Sequence, residues 1–416
     1  MIKNQIVYTS GTDWVFNLKK AQSSYLWDSE GKKYLDFTSG WNVANLGWNN
    51  KEILEAVIKQ AGKNAHSTLD TSEATQIELA KKLTSYLPKQ LDTIGKATGG
   101  TEANEEALKT ARAYTKRTKI IGFRETYHGQ SFADMAVGYP SEYTGAIAPL
   151  LPDVVQIEYP NTYRTGLSQE ELLEQFKGSL EKILSKEDIA AIVTEAGIIT
   201  GWGTTYVAPD GYLKTVRELT KKYGTLLILD EVGTGFSRCG KLFGMEIEGI
   251  VPDIATFAKG LSNGVAAIGA MVTSREIAEK TWKYTNLTST FGWVPLACAA
   301  VLKVLEIHNR DKVWEKSEKD GRHIREVLKR ELTSHPFVGD IRGKGMEIGV
   351  DLVKSKKTKK ENTEFLNKTL VKARKNGLFL DSDGTSNIQL MPPLTMDRED
   401  LNKGLQILIE AIKNSN

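Results

Sequence analysis

Short, nearly continuous apolar runs alternate with amphipathic helical patterns through the middle of this 416-residue chain. Such runs predict strands that are covered on both faces, because a strand with one solvated face alternates apolar with polar residues. The stretches 169–185 and 210–223 between them have helical periodicity. The predicted strands are KIIGF (119–123), AAIVT (190–194), TLLIL (225–229) and DIATFA (253–258). This alternation predicts an α/β fold with a largely parallel sheet.

The two ends of the chain show a different pattern from its middle. Near the N-terminus, SSYLWD (23–28) and KKYLDF (32–37) are strand-like segments on either side of a glycine turn. Near the C-terminus, helical patterns mix with strand-like segments such as MEIGVDLV (346–353). We therefore predict two domains. They are a large α/β domain over residues 55–300 and a smaller α+β domain that residues 1–54 and 301–416 form together.

The charges give no reason to expect a nucleic acid or a membrane as partner. The 55 Lys and Arg residues nearly balance the 52 Asp and Glu residues, for a formal net charge of +3. The densest basic run, KSKKTKKEN (354–362), has no interleaved aromatic residue, so we interpret it as a solvated loop. No apolar run reaches the roughly 18 residues of a membrane span, and the first residues lack an apolar leader. We expect a cytoplasmic protein.

Cysteine and histidine usage gives no reason to expect a disulfide framework or a metal. Cys239 and Cys298 are the only cysteines, so a disulfide framework is not predicted. The five histidines are scattered and show none of the close spacings that metal sites use. We therefore predict no metal ion.

A glycine pair precedes a predicted helix in KATGGTEANEEALKTARAYTKR (96–117). Thr101 is a candidate N-cap for this helix. Bare glycines followed by the free N–H groups of a helix start form a site suited to an anion. An ordinary glycine-rich turn explains the same residues, and the motif alone does not separate the two interpretations.

Two adjacent acids end the predicted strand in TLLILDEVGTGFSRCG (225–240). A carboxylate just past the carboxyl end of a parallel strand lies where open α/β sheets bind ligands. We expect Glu231 to point back to the surface and Asp230 to be held inward. A buried carboxylate needs a cationic partner, and a protonated ring nitrogen is one candidate. The alternative is a structural acid that caps the following turn.

A lysine follows the last predicted strand in PDIATFAKGLSNG (252–264). Lys259 lies 29 residues after Asp230, between Ala258 and Gly260. Partial burial there would make its amine nucleophilic, as Schiff-base chemistry requires. A lysine that reaches solvent is the alternative. Considered together, an anion cradle, an acid for a ring nitrogen and an imine-forming lysine match one ligand, pyridoxal phosphate.

Over nearly its whole length the chain resembles the class III aminotransferases, the ornithine and 4-aminobutyrate type of fold type I. That resemblance implies a mostly parallel large domain and a small α+β domain. The segments that carry it are YLDFTSGWNVANLG (34–47), GGTEANEEALKTAR (99–112), FRETYHGQS (123–131), LDEVGTGFSRCGKLFG (229–244), PDIATFAKGLSNG (252–264), STFGWVPLACAA (289–300) and IQLMPPLTM (388–396).

The resemblance implies pyridoxal 5'-phosphate as cofactor and assigns residues around its ring. Lys259 matches the lysine that binds the cofactor covalently and shuttles a proton. Asp230 matches the acid that keeps the ring nitrogen protonated. Val232 and Tyr127 match the residues on the two ring faces, and His128 is expected to support this group rather than to react.

Further positions match residues around the phosphate and the ring hydroxyl. Gly100 and Thr101 match the phosphate cradle, in which Gly99 stands where the family has serine. Glu195 matches an acid near the ring hydroxyl, although Ala196 replaces the proline that follows it in the family. Thr290 matches a residue that reaches the phosphate of the neighbouring subunit. This last match implies a homodimer with shared active sites.

The implied reaction is a ping-pong transfer of an amino group to a 2-oxo acid such as pyruvate or 2-oxoglutarate. Family members that act on α-amino acids usually place an arginine in the last motif, where it binds the α-carboxylate. This chain has Gln389 there. The segment EAGIITGWGTTYVAPDGY (195–212) also lacks the second acid that pairs with that arginine. Both departures favour an ω-amine or β-amine donor.

The substrate pocket is expected to be apolar. Trp41 matches a position on the substrate side, and Trp48 and Trp202 are candidates to join it, although core packing explains each equally well. Arg164, Arg238 or Arg398 remains a candidate to bind a carboxylate from elsewhere. The alternatives are an acetylornithine, ornithine or 4-aminobutyrate aminotransferase, a racemase, epimerase or decarboxylase on the same scaffold, and a non-catalytic binding protein.

Overall fold

A seven-stranded sheet forms the centre of the protein, and six of its strands run parallel. The computed structural model describes residues 2–3, 6–7, 16–68, 71, 73–139 and 141–415. The strand Gly269–Thr273 pairs antiparallel with both of its neighbours. Across the sheet the strands are Thr93–Ala97, Gly269–Thr273, Ile254–Phe257, Leu226–Asp230, Ile189–Glu195, Lys119–Phe123 and Val154–Ile157. The four predicted strands are all present, within two residues of the predicted bounds.

The central strand Leu226–Asp230 shows why apolar and polar residues do not alternate along this part of the sequence. Leu227 and Leu229 pack into the apolar cluster on one face of the sheet, whereas Leu226 and Ile228 belong to the cluster on the other. Since successive side chains of a strand point to opposite faces, a sheet covered on both sides needs apolar residues at every position. The α/β fold class is therefore confirmed.

Helices cover both faces of the sheet, and further helices lie near the two ends of the chain. Several begin at side-chain caps, such as Ser168, whose hydroxyl and the Glu171 carboxylate form a capping box. The helices are Lys51–Ala61, Ala74–Ser85, Gly100–Thr115, Phe132–Gly138, Ser141–Thr144, Gln169–Leu184, Tyr212–Lys222, Arg275–Thr285, Pro295–Arg310, Val313–Leu332, Thr363–Lys375 and Arg398–Lys413. Within the described ranges, no helix has the length and apolar character needed to cross a membrane.

Smaller sheets join the two ends of the chain. The short strand Leu378–Phe379 pairs in parallel with Lys33–Asp36, which continues to Tyr25–Asp28 and Leu18–Gln22. A second sheet contains Val338–Lys344, Glu347–Leu352, Asn387–Leu390 and Asp381–Ser382. Two-stranded pairs are Ile2–Lys3 with Ile6–Val7 and Ile198–Ile199 with Tyr206–Val207. The domain boundaries after residues 54 and 300 stay predictions.

A left-handed turn connects the N-terminal strands to the first long helix. The φ angles are 48° at Ser39, 60° at Gly40, 66° at Trp41 and 61° at Asn42. For residues with a side chain, this region costs roughly 1–2 kcal/mol each. Gly40 also lies against the Trp48 ring, because a Cβ there would come within 2.9 Å of it. Surrounding contacts must therefore hold this turn in place.

The core of the central strand provides the first prediction. Leu229→Ala should lower the free energy of unfolding by about 2–5 kcal/mol, because Leu229 is fully buried and its loss leaves a cavity. The matched control Val371→Ala changes a side chain that is 61% exposed and should stay within about 0.5 kcal/mol. Urea unfolding followed by circular dichroism measures both. An equal decrease in the free energy of unfolding in the two variants would contradict the assignment of Leu229 to the core.

Candidate active site

Three polar side chains meet where neighbouring strands of the central sheet end. The strand register places Asp230 beside Glu195 on one side and beside Thr256 on the other. Asp230 is 2% exposed and Glu195 is equally buried. Parallel strands align their carboxyl ends at one edge of a sheet, which is where α/β proteins bind ligands. The predicted inward orientation of Asp230 is what the structure shows.

Hydrogen bonds fix both oxygens of Asp230. Its Oδ1 accepts from the backbone N–H of Val232 at 2.8 Å, while Oδ2 lies 2.7 Å from His128 Nδ1 and accepts from Asn104 Nδ2 at 2.8 Å. Asn104 is held in turn by the Thr256 hydroxyl, which donates to its Oδ1 at 2.6 Å. The carboxylate is thus oriented before any ligand arrives, and His128 acts as a positioning residue for it.

Sequence reasoning missed Asn104, although the chain contains a signal for it. Asn104 lies on the same face of the helix Gly100–Thr115 as Leu108 and Ala111, which pack against the sheet. A lone amide on a buried apolar face needs a specific partner, because an unpaired buried amide is costly. Its partners are Asp230 and the His128 carbonyl oxygen, to which it donates at 2.6 Å.

Glu231 does not point back to the surface, as its sequence position led us to expect. It is fully buried, and its oxygens accept from the Thr234 hydroxyl at 2.7 Å and from the N–H groups of Gly244 and Met245 at 2.8 and 2.6 Å. Burial raises the pKa of Glu231 to about 7, although these bonds oppose the shift. This acid organises the turn after the strand.

Lys259 and Asp230 face one cavity of about 400 Å³. Lys259 has a φ of 47°, and it opens the short turn Lys259–Leu261 directly after the strand Ile254–Phe257. Its side chain is half-buried. The same cavity is lined by other predicted cofactor residues, namely Gly100, Thr101, Tyr127, His128, Glu195 and Val232.

Three predicted site residues lie outside this cavity's lining. Thr290 is exposed in the isolated chain, as a residue that serves a neighbouring subunit would be, and its role stays a prediction. Trp41 is 41% exposed and lies on the left-handed turn. Gln389 is fully buried one layer behind the cavity wall, where it donates from Nε2 to the carbonyl oxygen of Thr200 at 2.9 Å.

The helix Gly100–Thr115 starts at the cavity with exposed backbone N–H groups. Its N-cap is Gly99 and not Thr101 as predicted, and the first intrahelical bond runs from the Ala103 N–H to the Gly99 carbonyl. The N–H groups of residues 100–102 precede that bond. A Cβ at Gly100 would come within 3.2 Å of the Val232 side chain. Bare N–H groups beside glycine backbone suit a phosphate.

The residues present fit pyridoxal phosphate. The cavity offers a helix N-terminus for an anion at one place and a pre-oriented buried carboxylate for a protonated nitrogen at another. Gly129 lets its loop pack closely against the helix start, because a Cβ there would come within 2.8 Å of the Thr101 Cα. A primary amine, that of Lys259, lines the same space.

Glu195 is an acid with one free oxygen at the cavity. Its Oε2 accepts from the N–H of Thr200 at 2.9 Å and from its hydroxyl at 2.6 Å, while Oε1 has no partner among the described residues. Burial, together with the charge of Asp230, raises the pKa of Glu195 to about 7. This carboxyl can therefore hold or release a proton near neutral pH.

None of the three tryptophans expected to form an apolar pocket lines the cavity. Trp202 packs edge-on against Tyr127, with ring centroids 5.6 Å apart, and so supports that side chain from behind. Trp48 donates from Nε1 to Asp36 Oδ2 at 2.6 Å and is thus tied to the N-terminal strands. The pattern of residue types could not distinguish these packing roles from a substrate pocket.

The three arginines considered as carboxylate ligands are bound elsewhere. Arg164 pairs with Asp351 at 2.8 Å, and Arg398 pairs with Asp320. Arg238 is fully buried and donates to the carbonyl oxygens of Met346 and Pro392 and to the side chains of Asn45 and Ser39. None of the three lines the cavity.

Glu347 is the second residue that sequence reasoning missed. It lies in the predicted strand MEIGVDLV, where an acid between apolar residues is unexpected, and it is fully buried. Its Oε1 accepts from Gln389 Nε2 at 2.7 Å. The position expected to hold a carboxylate-binding arginine therefore holds a neutral amide that is bonded to an acid.

Comparison with known proteins assigns this architecture to a family. The model of the family described as "Aminotransferase class-III" matches residues 7–412. The leucine/methionine racemase of Thermococcus litoralis is 32% identical, with 94% of this chain and 89% of that protein covered. The 5-aminovalerate aminotransferase of Pseudomonas aeruginosa is 33% identical, with 94% and 92% covered.

A solved structure agrees with these relatives. An amine transaminase from an uncultivated Pseudomonas species, in its PLP-bound form, has a TM-score of 0.92 and 27% sequence identity. The match covers 99% of this chain and 98% of that one. The proteins to which this chain is similar thus include transaminases and a racemase.

The raised pKa of Glu195 provides the second prediction. The pKa of Glu195 in the folded protein lies above its ordinary value of 4.5, so ionisation costs stability as the pH rises from about 4.5 to about 7. Glu195→Gln removes that ionisation and keeps an oxygen for Thr200. In cofactor-free protein the variant should gain up to about 3 kcal/mol over wild type near pH 8 and about nothing near pH 4.

Thermal melts across this pH range measure the effect. Glu158→Gln, at a carboxyl whose side chain is 82% exposed, controls for the substitution itself. If Glu195→Gln changes the stability by the same amount at both ends of the pH range, the assigned burial of Glu195 is contradicted.

Proposed function

Because this chain belongs to the class III aminotransferases, we propose that it moves an amino group from an ω-amine or β-amine donor, which lacks an α-carboxylate, to a 2-oxo acid such as pyruvate or 2-oxoglutarate. The family makes it a transaminase of fold type I that uses pyridoxal 5'-phosphate. The observation that carries the donor class is Gln389, a neutral amide bonded to a buried acid. A carboxylate brought there would meet Glu347 and no guanidinium.

The relatives support this donor class. The Pseudomonas aeruginosa relative is named for 5-aminovalerate, whose reacting amine is remote from its carboxylate, and the solved structure is named an amine transaminase. A pyruvate or 2-oxoglutarate acceptor carries an α-carboxylate too. In the proposed reaction that group binds elsewhere in the site than at Gln389.

Each cavity residue has a role in the proposed reaction. When bound, the cofactor supplies an electron sink for the carbon that loses its proton. Asp230 holds the proton on the ring nitrogen, and His128 and Asn104 hold Asp230. Lys259 Nζ binds the cofactor between turnovers and carries the proton away from the amine-bearing carbon. Tyr127 covers one ring face, where it excludes water.

The remaining assignments concern the other ring face, the phosphate and the subunit partner. Val232 covers the second ring face, and the first N–H groups of the helix at Gly100 and Thr101 hold the phosphate. We propose a homodimer in which exposed Thr290 reaches the phosphate in the partner's site. A shared site of this kind makes the dimer the active species.

A second candidate function is racemisation or epimerisation of an amino acid. It is favoured by the similarity to the Thermococcus litoralis racemase, which is as strong as the similarity to the aminotransferase. Both reactions begin with the same proton removal by the lysine, so the cavity residues do not separate them. The absence of an arginine at position 389 favours the amine donor, because the substrate of a racemase carries an α-carboxylate.

The donor class is tested by half-reactions. The holoenzyme is mixed with single donors without an acceptor: pentylamine, a β-amino acid, alanine and glutamate. We expect donors without an α-carboxylate to bleach the visible band of the bound cofactor, because the amino group remains on the enzyme. Alanine or glutamate, as the amino form of the pyruvate or 2-oxoglutarate acceptor, should also bleach it, because the acceptor half-reaction is reversible.

Failure of pentylamine and the β-amino acid to bleach the band would overturn the proposed donor class. If an amino acid leaves the band in place but exchanges its α-proton with deuterated solvent, the reaction is instead racemisation or epimerisation. Lys259→Ala should remove the band of the resting enzyme and abolish bleaching. Activity retained in this variant would contradict the assigned chemistry of Lys259.

A further inference from the structure

A buried acid lies one layer behind the wall of the cavity. Glu347 is fully buried and receives hydrogen bonds from three neutral side chains. Gln389 donates to Oε1 at 2.7 Å, Thr205 donates to Oε1 at 3.1 Å, and Asn42 donates to Oε2 at 2.8 Å. No cation forms a salt bridge with Glu347 in the part of the chain that the structure describes.

A buried carboxylate without a bonded cation is costly, so its retention needs an explanation. Burial raises the pKa of Glu347, and the charge of Arg238 opposes that shift from a distance. The hydrogen bonds of Arg238, however, go to the carbonyls of Met346 and Pro392 and to Asn45 and Ser39. The acid therefore keeps its capacity to pair with an incoming cation.

The two amides that flank Glu347 each carry an unused oxygen. Both Gln389 and Asn42 donate to the carboxylate through nitrogen, and both are at least 98% buried, with exposures of 0% and 2%. Gln389 Oε1 and Asn42 Oδ1 have no hydrogen-bond partner among the described residues. Buried acceptors are normally satisfied, so these two oxygens are available to a group that brings several N–H donors.

The cluster is connected to the reaction cavity by one residue. Thr200 lines the cavity and donates to Glu195 through its N–H and hydroxyl. Its carbonyl oxygen accepts from Gln389 Nε2 at 2.9 Å, and the same nitrogen reaches Glu347. The acid thus lies directly behind the segment that separates it from the cofactor site.

Asn42, which donates to Glu347, lies in a strained turn of the chain. Asn42 ends the left-handed turn in which Ser39, Trp41 and Asn42 all have positive φ values. Strained backbone clusters at ligand clamps and switch regions, where the surrounding structure holds it. Val43, the next residue, lines the cavity. Neither Glu347 nor Asn42 lines the cavity, so binding at the cluster requires this turn to move.

We propose that Glu347, together with the amide oxygens of Gln389 and Asn42, binds the distal ammonium group of a terminal diamine donor. An ammonium group supplies three N–H donors and a positive charge, which are what the cluster lacks. This inference rests on the proposed amine-donor function. It restricts the proposed donors to amines that carry a second ammonium group.

Two donors of equal length test the inference. Diaminopentane and pentylamine differ only in the distal ammonium, and both are supplied to the holoenzyme without acceptor. The wild type should bleach the cofactor band with an apparent affinity for diaminopentane more than about tenfold above that for pentylamine. Glu347→Gln should abolish this preference.

Buried Glu106, which lies in the helix Gly100–Thr115 and is 2% exposed, provides the matched control. Glu106→Gln also removes a buried carboxylate but should keep the diamine preference. If folded Glu347→Gln also keeps that preference, the inference is overturned. If neither amine bleaches the wild type, the proposed function fails instead, so the two failures are distinguishable.

A second variant covers the case in which Glu347→Gln does not fold. Gln389→Arg places a guanidinium beside Glu347, where the two can pair. The diamine preference should disappear, and 5-aminovalerate should gain relative to pentylamine. Calorimetric titration of the holo Lys259→Ala variant with the two amines supplies a readout that does not depend on turnover. Equal heats and affinities for both amines there would also overturn the inference.

Discussion

The buried carboxylate of Asp230 is the group on which the rest of the site depends. It ends the central strand on the face covered by the helix Gly100–Thr115, so that helix must supply a donor, and Asn104 does so. The loop that carries Tyr127 must come close enough for His128 to bond the same oxygen. The strand end, the helix start and the loop are thereby fixed around one charge, and the cavity is the space they leave.

Buried acids recur around this cavity, and their partners determine what each can do. Glu231 has every oxygen bonded to a backbone N–H or a hydroxyl, so it stabilises a turn. Glu195 keeps one oxygen free at the cavity, so it can interact with a ligand. Glu347 is held by neutral amides and a hydroxyl, which leaves its charge uncompensated at close range. Similar burial therefore produces a structural acid, a titrating acid and a candidate cation site.

Local features of the sequence were sufficient to predict the position of a residue wherever that position follows from the residue's own strand or turn. The apolar run before Asp230 predicted a strand buried on both faces and an acid at its carboxyl end, and both are present. The glycines before the helix predicted its start, but the N-cap is Gly99, because the backbone leaves the strand already extended at that residue. The prediction for Glu231 was wrong, since the turn folds back and brings the N–H groups of Gly244 and Met245 onto it.

The sequence by itself determined the family, the fold class, the cofactor and most of the predicted site residues that line the cavity. These follow from strand ends and a helix start, where short-range geometry places the side chain. Only the tertiary structure brought Gln389, Glu347 and Asn42 together, from segments 305 residues apart in the case of Asn42 and Glu347. No local pattern encodes such a contact, because it depends on how the C-terminal sheet packs against the N-terminal turn. The same reason explains why none of the three tryptophans lines the cavity, although each alone is suited to a pocket.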